Sequence, residues 1–182
     1  MGARTRTPRS RWIEQGLAVL ATGGPDAVRV EVLAAGLGVT KGGFYGQFAD
    51  RGELLEAMLD TWERESVDDV DAALAGLDGD ARTRILRAGL LTFHERLRAV
   101  DLAVRDWARR DPAVAARLRR VDNRRMAFLR EQFAALGADE VEAEARGVLA
   151  FCLAVGHELL AADLVSAPRA EVLRAAMRVV SG

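Results

Sequence analysis

The sequence contains very little cysteine, proline, lysine or histidine. Its 182 residues include one cysteine, four prolines and two histidines, and Lys41 is its only lysine. A single cysteine excludes a disulfide framework within one chain and fits a reducing cytoplasm. No apolar run approaches the ~18 residues of a membrane span, and the N-terminus has no hydrophobic signal core. We therefore expect a soluble, cytoplasmic protein.

The sequence also lacks the alternation of apolar and polar residues that marks a strand. Half of its residues are hydrophobic. They recur at helical spacing in segments bounded by Gly, Pro or Asp, residues that commonly begin or end helices, and this pattern predicts an all-α fold. Asp101 is expected to cap the sixth helix, and Leu86 and Leu90 to face inward from the fifth. The predicted helices, about nine in number, cover approximately residues 10–22, 30–37, 41–48, 51–74, 80–100, 102–109, 112–136, 140–164 and 168–180.

Residues 36–48 carry the most informative pattern. A short apolar helix runs into Gly38, and a second short segment places Phe44 and Phe48 one helical turn apart. Glycine readily takes the left-handed conformation that ends a helix, and Thr40 is placed to cap the second segment. Two helices joined by so tight a turn predict a helix-turn-helix of the kind that enters the DNA major groove.

This run resembles the TetR family of bacterial transcriptional regulators, and the likeness continues through residues 50–55. Three positions depart from the family pattern. Gly43 stands where Ser or Thr is usual, Gly46 where the residue is often bulky, and Gln47 where His is usual. The residues in register are Leu37, Gly38, Val39, Thr40, Lys41, Gly42, Phe44, Tyr45 and Phe48.

The resemblance implies a division of the chain into two parts. Residues 1–49 would be a three-helix DNA-binding domain of helix-turn-helix type. Residues 50–182 would be a helical domain that binds an effector and dimerises. The boundary is expected along the fourth helix and not in a flexible linker.

The second helix of the motif supplies the candidate DNA contacts. A helix N-terminus attracts phosphate, and Lys41 can reach a base edge or a phosphate. The resemblance implies phosphate contacts for Tyr45 and Arg51, and Gln47 can donate in place of the usual His. Because Gly43 and Gly46 lack side chains at positions expected to face bases, we expect direct readout to depend heavily on Lys41, with help from DNA shape. The predicted DNA-contacting residues are Arg29, Thr40, Lys41, Gly42, Gly43, Tyr45, Gln47 and Arg51.

The charge distribution agrees with one part that meets phosphate. Net charge is only −1, but residues 1–51 carry seven basic and four acidic side chains, a net +3. The remaining residues carry 19 basic and 23 acidic side chains, a net −4. Such asymmetry is typical of a nucleic-acid-binding segment on an acidic body. Residues 1–9 are basic and are expected to lack fixed structure until bound; their arginines either follow DNA or form a solvated tail.

Other functional classes find little support in the sequence. The glycine-rich run lacks the spacing of a phosphate-binding loop and follows a helix instead of a strand. His94 and His157 begin no zinc-binding pattern, and no catalytic constellation is apparent. The chain is therefore not expected to be an enzyme or to carry a metal or cofactor. Cys152 is expected to be a buried small hydrophobe.

The C-terminal part has weaker patterns. The resemblance implies an effector pocket among helices four to eight and a homodimer through helices eight and nine. Both helices carry apolar stripes that require cover, either from a second copy or within the monomer. The candidate effector contacts are Phe93, His94, Trp107, Met126, Phe128, Phe151 and His157, although aromatic residues at helical spacing also occur in ordinary cores.

Together these patterns predict a ligand-responsive DNA-binding regulator. A homodimer would place two recognition helices in successive major grooves of a near-palindromic operator. A largely apolar effector bound between helices four and seven would tilt helix four and release the operator, so repression is the expected output. The alternative is a helical ligand-binding or interaction module whose DNA-binding head is degenerate, as the residues at 43, 46 and 47 could indicate.

Overall fold

A computed structural model describes residues 7–182 of the chain. The expectation for residues 1–6 lies outside this range. Within it the chain forms α-helices and no strand, which confirms the all-α prediction. The helices are α1 (Arg9–Ala27), α2 (Val30–Leu37), α3 (Lys41–Tyr45), α4 (Arg51–Glu63, continued by a π-helical turn at Arg64–Asp68 and by Asp69–Ala75), α5 (Ala81–Thr92), α6 (Glu95–Ala108), α7 (Pro112–Ala135), α8 (Glu140–Gly156) and α9 (Arg169–Ser181).

Local capping chemistry sets several helix starts. The Asp50 side chain accepts from the Glu53 N–H at 2.9 Å, and Asp139 accepts from the Glu142 N–H at 2.8 Å. Pro112 occupies the first position of α7, where its missing N–H has no consequence. These bonds satisfy donors that a helix N-terminus otherwise leaves without partners.

The structure corrects the predicted boundary between the fifth and sixth helices. α5 ends at Thr92, and the backbone leaves helical geometry at Phe93. α6 then begins at Glu95, so Asp101 lies within a helix and caps nothing; it is buried and pairs with Arg105 at 2.8 Å. The early restart places Leu97, Val100, Val104 and Trp107 on one buried face of a single helix. On α5, Leu86 and Leu90 are 51% and 69% exposed, contrary to prediction.

Two other predicted helices are shorter than expected. α3 ends at Tyr45 because residues 46 and 47 form a turn. α8 ends at Gly156, and the Arg169 guanidinium then donates to the carbonyl oxygens of His157, Leu160 and Ala162. These bonds satisfy backbone acceptors of the non-helical segment that follows α8.

The chain divides into two compact units. The N-terminal unit comprises residues up to Asp69 together with His94–Arg119. Its α1 packs against α2, α4 and α6. At Gly16 an added Cβ would lie 2.5 Å from Met58 Sδ, so glycine permits a close approach of α1 and α4. The fully buried side chains of this unit include Trp12, Leu20, Leu33, Phe44, Leu54, Met58, Trp62 and Leu97.

The C-terminal unit comprises Val70–Phe93 and Arg120–Gly182. Its central core cluster is small and consists of Ile85, Phe133, Ala143 and Ala150. Leu129, Leu136, Ala138, Met177 and Val180 pack against that cluster but are only partly buried. No residue of α9 is fully buried, and Cys152 is exposed, contrary to prediction.

Candidate nucleic-acid interface

The turn between α2 and α3 has the predicted helix-turn-helix geometry. Gly38 has φ +67° and ψ 30°, the left-handed conformation expected at the end of α2. The Val39 N–H donates to the Ala34 carbonyl at 2.9 Å, and the Gly38 N–H donates to Ala35 at 3.1 Å. These paired bonds are the Schellman ending of a helix. Thr40 follows in extended conformation at the cap position of α3, although its hydroxyl forms no cap bond.

Aromatic packing fixes α3 on the rest of the head, which we define as α1 to α3 with residues 46–48. Phe44 is fully buried and meets the edge of Trp12, with ring centroids 5.4 Å apart. Its ring stacks on Phe48 at 5.3 Å. Such contacts add to the stabilisation from buried area. Only five residues long, α3 could not be stable without this support.

The opposite side of α3 is open to solvent. Thr40, Lys41 and Gly42 are exposed, and the Tyr45 side chain is 62% exposed. The Tyr45 ring meets the edge of the buried Phe44 ring at 5.3 Å, which orients the phenol outward from a fixed base. The open edge therefore carries one cation, two hydroxyl groups and a glycine without a side chain. These groups can donate to phosphates or base edges.

Gly43 faces a different direction from that predicted. A Cβ added there would lie 3.6 Å from Trp12 Cζ2, which is ordinary van der Waals contact. This position is directed towards α1. At Gly42 an added Cβ would meet only the Thr40 hydroxyl oxygen, at 3.8 Å. Gly42 therefore lies on the open side.

Gln47 and Arg51 make intramolecular bonds in this structure. The Gln47 amide donates to the Thr7 carbonyl oxygen at 3.1 Å. The Arg51 guanidinium donates to the backbone carbonyls of Val28, at 2.6 Å, and of Pro25. Both side chains are half-buried. Arg51 thereby joins the start of α4 to the segment between α1 and α2, which holds the head together.

Arg9 and Arg29 lie at the edges of the same head. The Arg9 guanidinium carbon lies 4.4 Å from the centroid of Phe48, and Arg9 pairs with Glu53 at 3.0 Å. Arg29 is exposed at the cap position of α2. The pattern at residues 36–48 did not indicate the packing of Arg9.

Lys41 has a partner that the sequence reading did not identify. Its ammonium donates to the Glu31 carboxylate, which lies in the first turn of α2. The hydrogen bond with Lys41, followed by a backbone hydrogen bond and the charge of Lys41, lowers the pKa of Glu31. The carboxylate therefore stays ionised at neutral pH.

Comparisons with known proteins support the assignment of a helix-turn-helix to the head. Residues 13–58 match the family model described as bacterial regulatory proteins of the tetR family. This range spans α1 to the middle of α4 and includes the whole helix-turn-helix. Over this segment the chain resembles bacterial regulators of the TetR family.

Solved TetR-like structures share the fold over nearly the whole chain. A transcriptional regulator from Rhodococcus sp. is 24% identical, with TM-score 0.70, over 96% of this chain and 94% of that one. A regulator from Saccharomonospora viridis, solved with choline, is 17% identical, with TM-score 0.70, over 94% and 92%. AibR, solved with isovaleryl coenzyme A and operator DNA, is 14% identical, with TM-score 0.67, over 94% and 97%. A comparison with curated proteins found no match.

The candidate effector residues fall in both units. His94 and Trp107 belong to the N-terminal unit, where His94 is exposed and Trp107 is buried. The other five belong to the C-terminal unit and are half-buried: Phe93, Met126, Phe128, Phe151 and His157.

Within the C-terminal unit, Arg125 is a buried cation that contacts one of these candidates. Its guanidinium carbon lies 5.5 Å from the Phe93 ring centroid, and its Nη1 lies 3.4 Å from Asp122. Among the described residues no group of His, Cys, Asp and Glu could hold a metal ion. None of the described helices is both long and apolar enough to span a membrane.

Proposed function

We propose that the chain is a homodimeric transcriptional regulator that binds a two-fold operator and changes its affinity when a small molecule binds. The observation that carries this proposal is the open edge of α3, with Thr40, Lys41 and Tyr45 outward and Phe44 locked behind them. A short helix held rigidly by its buried side and polar on the other suits insertion into a major groove.

The proposed DNA contacts differ in their roles. Lys41 would donate to a base edge, while Thr40 and Tyr45 would donate to phosphates and set the register. Gly42 would allow close backbone approach, and Arg29 would add a phosphate contact from α2. Gln47 and Arg51, with Gly43, support the head from inside, and their donors would turn to DNA only after giving up present bonds.

The second copy is proposed to pack on α8 and α9. Val148 and Leu149 of α8 are 45% and 56% exposed, and Val179 of α9 is 83% exposed. Exposed apolar side chains on neighbouring helices favour association, because burying them removes apolar area from water. Two heads about one helical turn of DNA apart would then read the two halves of one site.

The effector is proposed to bind in the part comprising residues 50–182, against largely apolar side chains. AibR in complex with isovaleryl coenzyme A and operator DNA, and the Saccharomonospora regulator in complex with choline, support a small-molecule response. The proposed contacts are among Phe93, Met126, Phe128, Phe151 and His157, with His94 and Trp107 as the N-terminal unit's candidates. No enzymatic step is assigned, and the site of action is the cytoplasmic chromosome.

Contacts of α7 within the N-terminal unit suggest how an effector could act on the head. The Arg117 guanidinium bonds three carboxylates of α4: Glu56 at 2.6 Å, Asp60 at 2.7 Å and Glu63 at 3.0 Å. Burial alone would lower the pKa of Arg117, but these hydrogen bonds outweigh it and raise the pKa. A displacement of α7 would therefore pull α4, whose first residue Arg51 is bonded to the head.

Selection of duplexes from a random pool, followed by titration, tests the proposal. The full chain should bind the selected duplex about 10³-fold or more tightly than a scrambled duplex of equal length. Its affinity should fall steeply as salt rises, because bound phosphates release counterions. Equal affinity for both duplexes would contradict the proposal and favour an interaction module with a degenerate head.

A further inference from the structure

An acid of α2 lies beside the base on the exposed edge of α3. Glu31 and Lys41 are ten residues apart, and their side chains bridge α2 and α3 on the solvent side of the motif. The two side chains are 60% and 56% exposed. The ion pair therefore lies on the surface that DNA would meet, and both groups can reach a ligand.

An ionised carboxylate at that place opposes DNA binding in general. Binding to DNA of arbitrary sequence is almost entirely electrostatic and depends on cations that neutralise phosphates. Because Glu31 pairs with the only lysine of the chain, it makes that cation less available to neutralise a phosphate. The nearby Arg29 adds only the weakest of the attractions that keep Glu31 ionised.

We propose that Glu31 is a specificity-determining residue of the DNA-binding head: it withholds Lys41 from the phosphates of arbitrary DNA. This inference rests on the proposed function. On an operator, a base acceptor aligned with Lys41 can take the ammonium as a partner while the other contacts of the head form. On other sequences no such acceptor is aligned, so Lys41 stays with Glu31 and does not neutralise a phosphate.

The energetics of the pair allow this exchange. An exposed ion pair is weak, so a well-placed base acceptor can compete for the ammonium. A lysine contact to guanine O6 or N7 is a common specific contact in the major groove. The pair therefore acts mainly where no such contact is available, and its loss should change affinity for scrambled DNA more than affinity for the operator.

The test compares Glu31→Gln with Asp26→Asn in the full chain. Asp26 is also exposed and lies in the same head, so its variant removes the same charge away from Lys41. Glu31→Gln should raise affinity for the scrambled duplex about fivefold to tenfold and affinity for the operator by about twofold or less. On scrambled DNA the salt slope should steepen by about one. Asp26→Asn should leave the ratio of the two affinities unchanged.

A double-variant cycle isolates the role of Lys41. In a Lys41→Gln background, Glu31→Gln should have no more effect on scrambled DNA than Asp26→Asn. A full effect without Lys41 would overturn the inference, as would equal increases on both duplexes or no difference from Asp26→Asn. Unchanged helicity and melting temperature confirm that each variant is folded.

The wild-type ratio separates this inference from the proposed function. If the wild type itself fails to distinguish operator from scrambled duplex, the proposed function is wrong. If the wild type discriminates strongly and Glu31→Gln keeps the same ratio, only the role of Glu31 is wrong.

Discussion

The N-terminal unit buries many large apolar side chains, whereas the C-terminal unit leaves much apolar surface half-covered. All three tryptophans lie in the N-terminal unit: Trp12 and Trp62 are fully buried, and Trp107 is 9% exposed. In the C-terminal unit only Phe133 among the aromatic residues is fully buried. Large rings supply much of the buried area that holds a small unit together.

This difference corresponds to the demands that the proposed function makes on each part. A DNA-reading head must hold a five-residue helix in a fixed position, so its inner side is rigidly packed. A part that binds a second copy and a small molecule needs apolar side chains that are not yet fully buried. The contrast makes four predictions, which run from the largest expected effect to the smallest.

Phe44→Ala should lower the free energy of unfolding by about 3–5 kcal/mol, because it removes a fully buried ring and leaves a cavity beside Trp12. Denaturant titration measures the loss. Tyr45→Ala is the matched control: its ring is 62% exposed, so stability should change by about 0.5 kcal/mol or less while operator affinity falls. Comparable destabilisation by both variants would contradict the inside–outside assignment of α3.

Leu149→Glu should weaken a dimer by at least about a hundredfold, since it places a charge in the proposed α8 interface. Sedimentation at several concentrations measures the association. Leu90→Glu on α5 is the control, because Leu90 is 69% exposed and lies outside that interface. If Leu149→Glu leaves association unchanged, or Leu90→Glu disrupts it, the second copy packs elsewhere.

Arg117→Ala should lower the free energy of unfolding by about 2 kcal/mol, because three carboxylates of α4 lose their shared charged donor. Arg124→Ala on the same helix tests a solvated pair, since Arg124 and Asp71 are 51% and 52% exposed. That variant should cost about 0.5 kcal/mol or less. If thermal unfolding showed equal losses of stability in the two variants, the number of carboxylates bonded to the arginine would not determine its contribution.

Glu53→Gln should have the smallest effect on stability, and that effect should depend on pH. The bond from the Ala49 N–H, followed by that from Arg9, lowers the pKa of Glu53 below its ordinary 4.5. A lowered pKa stabilises the folded state above the ordinary value, and this contribution is lost as pH falls through the folded-state pKa. The melting temperature of the wild type should exceed that of the variant near pH 6, and the two should converge below about pH 4.5. A constant difference across this range would exclude the charge of Glu53 as its cause.

The parts of the fold that were predictable from sequence depend on neighbours along the chain. Gly38 takes the left-handed conformation because glycine, which lacks a Cβ, has no steric penalty at positive φ. The side chains of Asp50 and Asp139 accept hydrogen bonds from N–H groups three residues further along the chain. Phe44 and Phe48, which the sequence places one helical turn apart, are both buried. Trp12 could have joined this set, since it lies one helical turn before Gly16.

Contacts between distant residues were not predictable in the same way. Asp is a residue type that is common at helix caps, yet Asp101 lies inside a helix. Burying Leu97, Val100 and Val104 on one face of that helix outweighed the local preference. The Glu31–Lys41 pair joins two helices whose relative angle no sequence pattern specifies. The direction of Gly43 towards Trp12 likewise depends on how α3 packs on α1.

The amino-acid sequence alone determined the helical class of this protein, the turn between α2 and α3, and the likeness of its head to TetR regulators. Those features depend on periodicity, capping and backbone freedom, which act over a few residues. Tertiary packing decided which groups of that head face outward and which are already bonded: Tyr45 is exposed, Arg51 holds backbone carbonyls, and Lys41 is paired with Glu31. The physical reason is that a side chain's exposure and partners are set by the helices packed around it.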